Sequence, residues 1–119
     1  MQDFRDLKVW QRAHAFTLSI YRETRNFPRE ELYGLTSQLR RAAASVAANL
    51  AEGRCRSTDR DFGRFVSIAL GSAAESDYFL LLAHDLGILE APCYRVLAQE
   101  VDEVKKMLAS LYARLQAEK

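Results

Sequence analysis

The sequence predicts an all-α fold, an antiparallel up-down-up-down four-helix bundle, on three observations. Apolar residues recur at i, i+3, i+4 and i+7 over four separate stretches, the spacing of one helix face. Only 5 glycines and 2 prolines occur in 119 residues, so turns are few and elements long. No stretch shows the sustained apolar/polar alternation of a half-buried strand. Short connections between long helices return each helix alongside the one before it.

The first helix is expected from about Leu7 to Arg25. Its stripe is Val9, Trp10, Ala13, Phe16, Thr17, Ile20 and Tyr21. Asp3 and Asp6 precede it and Arg22 and Arg25 close it, each with the sign that suits the helix dipole. Phe27-Pro28 ends it, because a residue before proline disfavours the helical region. The connection to Gly34 is compact, has room for a helical turn, and offers Phe27, Leu32 and Tyr33 to the bundle end.

The second helix is expected from Leu35 or Thr36 to Glu52, with Leu35, Leu39, Ala42, Val46 and Leu50 on one face. The alanines between Ala42 and Ala51 make it slim enough for another helix to approach closely. Gly53 reads as its C-terminal stop.

Ser57-Thr58 opens the third helix, with Thr58 and Asp61 spaced like a capping box. Its expected buried side is Phe62, Phe65, Val66, Ala69, Ala73, Phe79 (or Ser76 beside it), Leu80, Ala83 and Leu86. It is about 29 residues long, or ~43 Å. Ile68, Leu70, Leu81 and Leu82 widen the apolar stripe beyond one face, as expected of a helix central to a core or an interface. Gly87, followed by Ile88, supplies a Schellman-type end.

The fourth helix begins at Ala91-Pro92, where proline's missing N–H costs nothing. Tyr94, Leu97, Val101, Val104, Leu108, Leu111 and Leu115 then alternate spacings of three and four, a heptad seam.

Length and composition fit one domain over 1–119 that folds without a disulfide or metal. The N-terminal segment is charged and lacks the apolar region of a secretory signal. The longest apolar run, Tyr78 to Ala83, is far short of the ~20 residues a bilayer span needs. A cytoplasmic protein with no membrane partner is expected. Cys55 and Cys93 are far apart and have no histidine beside them, so they read as reduced thiols and no metal site is expected.

Formal net charge is +1, but its distribution is uneven. Residues 36–64 carry six arginines against three acids: Arg40, Arg41, Arg54, Arg56, Arg60 and Arg64. Arginine's planar fork pairs well with phosphate, so this set is the candidate nucleic-acid contact. The plainer account is a solvated, arginine-flanked turn. The aromatic interleaving of single-strand binders is missing, so any binding should be to backbone and not to base sequence.

No catalytic residue is expected. There is no glycine-rich phosphate loop, no G-x-S-x-G and no H-E-x-x-H. His14 and His84 each read as a lone surface histidine. Glu52 and Glu75 lie on adjacent helices and could form a carboxylate pair. Together with Gln38 and Asn49, they read better as a structural polar network that sets helix register or subunit orientation. Asn49 and Glu52 share a face one turn apart.

Phe4-Arg5-Asp6-Leu7-Lys8-Val9-Trp10-Gln11 resembles the opening of the family named for the protein encoded in 23S ribosomal RNA intervening sequences. Tyr33-Gly34-Leu35-Thr36, Gln38-Leu39-Arg40-Arg41-Ala42-Ala43 and Asn49-Leu50-Ala51-Glu52-Gly53 match that family's most characteristic block. Phe62, Phe65, Ile68-Ala69, Gly71-Ser72 and Glu75 match its third helix. The family is also similar to the accessory variability protein of diversity-generating retroelements. The resemblance implies a small four-helix bundle that assembles into a homopentameric ring, binds RNA or DNA through a basic surface, and partners a reverse transcriptase or other protein; no cofactor is expected from the residues. Two functions follow as expectations. One is a non-enzymatic oligomeric adaptor on nucleic-acid backbone. The other is a structural or protein–protein interaction bundle with no nucleic-acid role.

Overall fold

The computed structural model describes residues 3–117; residues 1, 2, 118 and 119 lie outside the described part. The described residues form α1 (Lys8–Thr24), α2 (Leu35–Arg54), α3 (Asp59–Asp85) and α4 (Ala91–Ala117), with short 3₁₀ turns at Phe4–Asp6 and Arg29–Glu31 and no strand. α1 packs on α2 and α4, and α3 packs on the same two helices. The molecule is 46 × 21 × 20 Å, a bundle whose long axis is set by its helices.

The helix faces are largely those that the periodicity predicts. Leu35, Leu39, Ala42, Val46 and Leu50 are buried on α2. The α4 seam is buried from Leu97 through Leu115, and Tyr94 is half-buried at its start. On α3 the buried line runs through Ser76, not through its neighbour Phe79, which is half-buried. The Ser76 hydroxyl donates to the Ser72 carbonyl at 2.9 Å, so its polar group is satisfied within the helix. Leu86, expected inside, is exposed because it falls at the helix end beyond the core. Tyr21 is exposed as well, at the rim of the α1 stripe.

By length and mean hydropathy alone α3 could cross a bilayer. Its buried side, from Phe62 to Ala83, belongs to the bundle core.

Two glycines have different reasons. Gly87 has φ +78°, the left-handed conformation of a helix stop. Its N–H donates to the His84 carbonyl at 3.0 Å and that of Ile88 to the Ala83 carbonyl at 2.9 Å, the two bonds of a Schellman end. Gly53 is not the stop that its position suggested. α2 continues through Arg54, and Gly53 is buried inside the helix. A Cβ there would lie 2.7 Å from the Phe65 Cβ and 2.9 Å from Phe62 Cδ1. The glycine is needed because α2 and α3 touch at that point.

The caps also differ in detail. The Thr58 hydroxyl accepts from the Asp61 N–H at 3.1 Å, one half of a capping box. The Asp61 carboxylate instead pairs with Arg64 at 3.2 Å. At the start of α2 the Glu31 carboxylate accepts from the Leu35 N–H at 3.1 Å. Phe27 packs on the core from the preceding connection, but Leu32 and Tyr33 face outward, Tyr33 at 92% exposure.

Candidate nucleic-acid interface

The six arginines do not form one patch. Arg40 and Arg54 are fourteen residues apart on α2, or about 21 Å along the helix. Arg40 sits near the start of α2 and is half-buried. Its Nε donates to the Thr24 hydroxyl at 2.7 Å, and its guanidinium lies 4.7 Å from the Tyr21 ring centre. It therefore ties α2 to the end of α1. Arg41 is exposed and lines an open groove between α2 and α3 with Tyr33, Gln38, Ser45 and Glu75.

The other four gather where α2 ends and α3 begins. Arg56 and Arg64 lie over the same Phe65 ring, at 4.8 and 4.7 Å. Arg56 pairs with Glu52 at 3.0 Å and Arg64 with Asp61 at 3.2 Å. Such exposed pairs are weak, so these carboxylates can be exchanged for phosphate. Arg54 lies 5.6 Å from the Phe62 ring. Arg60 is exposed and lines an open polar depression with Arg64, Tyr112 and Gln116.

Folding adds three cations that the local sequence does not signal. Lys8 from the start of α1 and Lys106 and Arg114 from the second half of α4 line a cleft with Arg54. They are separated from the arginine block by most of the chain, so no spacing rule could have found them. One end of the bundle thus holds Lys8, Arg54, Arg56, Arg60, Arg64, Lys106 and Arg114. The acids Asp6, Glu52, Asp59, Asp61 and Asp102 are interspersed among them.

The four residues of the expected polar network occupy three places. Gln38 and Glu75 line the groove beside Arg41. Glu52 faces outward to Arg56. It lies two turns along α2 from Ser45, the groove residue nearest to it in sequence, so Glu52 and Glu75 do not make a carboxylate pair. The Asn49 amide donates to the Ser45 carbonyl at 2.8 Å and hydroxyl at 3.0 Å. The Ser72 hydroxyl reaches the same Ser45 oxygen at 3.0 Å. The polar link between α2 and α3 is therefore Asn49, Ser45 and Ser72, and the two serines were hidden among small residues in the sequence.

His14 is exposed and stacks on Trp10 at 4.9 Å. His84 is not a lone surface histidine. It is half-buried, its ring stacks on Tyr94 at 4.6 Å, and its Nδ1 lies 3.1 Å from the Leu89 carbonyl. The tautomer with a proton on Nδ1 donates there and pins the turn between α3 and α4. Beside that turn the Glu23 carboxylate, with desolvation, pushes the Cys93 thiol up from its ordinary range. Burial pushes the Glu100 carboxyl up, partly offset by Ser19 and Arg22. Among the described residues no three His, Cys, Asp or Glu side chains converge on a point where a metal could bind.

These features define a small helical bundle with a cation-rich end. A comparison with protein families places it further: residues 5–110 match the 23S rRNA-intervening sequence proteins, and the chain belongs to that family. Among solved structures it is similar to a protein of unknown function from the S23 ribosomal protein family of Bacteroides thetaiotaomicron. The two are 24% identical, the match covers 87% of this chain and 97% of that one, and the TM-score is 0.79. At that identity the likeness speaks for the fold. No curated protein matches the chain.

Proposed function

We propose that this protein is a non-enzymatic adaptor that binds RNA or DNA backbone through the end of the bundle where α2 meets α3. The observation that carries the reading is the gathering there of Arg54, Arg56, Arg60 and Arg64 with Lys8, Lys106 and Arg114. The family's name, which refers to a ribosomal RNA insertion, points the same way. The reading takes the helices as antiparallel, which is supported by paired contacts: Thr24 with Arg40 and Thr17 with Ala43 between α1 and α2, and Ser72 with Ser45 and Phe65 with Gly53 between α3 and α2. It also takes the protein as a homopentamer in the cytoplasm, since a ring would repeat weak cationic contacts five times and let them add.

A second reading, a protein–protein interaction bundle, is favoured by Ile68, Tyr78 and Leu81, apolar residues of α3 that remain exposed.

Gel retardation over a salt series, with light scattering on the same sample, separates the two. Wild-type protein should retard unrelated RNA and DNA sequences alike, with affinity falling steeply as salt rises. Replacing Arg60 and Arg64 by Ala should flatten the salt slope by about one unit per lost phosphate contact. Absence of retardation at low ionic strength sinks the adaptor and leaves the interaction bundle. A mass of 13.6 kDa at micromolar concentration removes the ring.

A further inference from the structure

The cleft between the start of α1 and the second half of α4 has chemistry that a nucleic-acid backbone does not need. It is an open cavity of about 520 Å³, within the ~300–1,000 Å³ of small-molecule sites. Its apolar lining is Leu7, Val9, Met107 and Leu111. Lys8, Arg54, Lys106 and Arg114 stand around that lining, with Asp6 and Ser110 as the other polar residues. Among the described residues that line it, four are cationic and one, Asp6, is acidic. Lys106 also pairs with Asp102 at 3.3 Å, an exposed contact that an anion can replace.

Apolar walls favour a hydrocarbon body, and the cation excess favours an anionic head. Met107 is unbranched and polarisable, so it adapts to a flexible chain. Among the described residues no aromatic side chain lines the cleft, so they offer a nucleobase or other flat ring nothing to stack on.

We propose that this cleft binds a free aliphatic anion, a chain of roughly fatty-acid character with one carboxylate or phosphate head. The cations would hold the head and Leu7, Val9, Met107 and Leu111 the chain. The site shares Lys8, Arg54, Lys106 and Arg114 with the cation-rich end, whereas Arg60 and Arg64 line a separate depression.

Sodium octanoate, titrated calorimetrically into the wild-type chain below its aggregation concentration, is the test. Saturable binding of one octanoate per chain is expected. Inorganic phosphate and 1-octanol, which carry only the charge or only the chain, should each bind at least about tenfold more weakly. The double replacement Lys8→Ala, Arg114→Ala at exposed positions should weaken octanoate about tenfold, and Met107→Gln should weaken it several-fold, with helicity unchanged in both. Arg60→Ala should leave octanoate binding as it is while reducing nucleic-acid retardation, so failure of one function does not imply failure of the other. The proposal is overturned if octanoate does not saturate, if phosphate or octanol matches it, or if the cleft variants bind like wild type. Sedimentation with phosphatidylglycerol vesicles without any binding of free octanoate would assign the cleft to a membrane surface and overturn it too.

Discussion

The two ends of α2 use arginine in opposite ways. Near its start, Arg40 is half-buried, bonded to Thr24 and laid on Tyr21, so its guanidinium is already committed to holding α1 against α2. Beyond its end, Arg56, Arg60 and Arg64 stand at the surface, two of them over one phenylalanine and paired only with exposed carboxylates. The residue type is the same, but the solvent around it differs. A guanidinium wedged between helices gives up hydration and must be satisfied by the protein. One on a helix end keeps its water and can trade a weak carboxylate partner for a phosphate. Arginine count alone therefore does not measure a binding surface.

The largest effects test whether the ends differ only in their polar side chains. Leu39, near the start of α2, and Leu50, near its end, are both fully buried. Leu39→Ala and Leu50→Ala should each cost roughly 2–5 kcal/mol in urea unfolding. A much smaller loss for one would mean that the core itself is looser at that end. Gly53→Ala comes next. With Phe65 Cβ at 2.7 Å from the added methyl, overpacking should cost about 1–3 kcal/mol. Stability unchanged by that methyl would show that α2 and α3 part easily there.

The smallest effects set the arginines against each other directly. Arg40→Ala removes a charged hydrogen bond and a ring contact and should cost about 1–2 kcal/mol. Arg60→Ala should change stability by less than about 0.5 kcal/mol, as exposed sites do. Equal losses at the two positions would erase the distinction between a structural and an offered guanidinium.

The helices themselves were legible because a 3.6-residue repeat is a local property. The α4 seam from Leu97 to Leu115 and the stripe from Leu35 to Leu50 needed no knowledge of what they packed on. The Schellman end at Gly87 was legible for the same reason, since the bonds that close it span only six residues. Residues at helix ends and rims were harder. Tyr21, Leu86 and Tyr33 are apolar or aromatic and fall near the expected faces, yet they are exposed, and over Tyr21 the neighbouring helix lays only the Arg40 guanidinium.

Sequence by itself determined that the chain is all-helical, which faces are buried, and that it belongs with a family whose motifs run along its length, because periodicity, caps and motifs are encoded within a few turns. Only the tertiary structure decided that Gly53 is a contact and not a stop, because that depends on how closely Phe62 and Phe65 approach from α3. Tertiary structure also moved His84 from the surface to the turn, by bringing Tyr94 and the Leu89 carbonyl against it. It split the arginines between two ends and joined Arg54 to Lys8, Lys106 and Arg114. Those neighbours come from opposite ends of the chain, and charge acts through space at distances that sequence spacing does not measure.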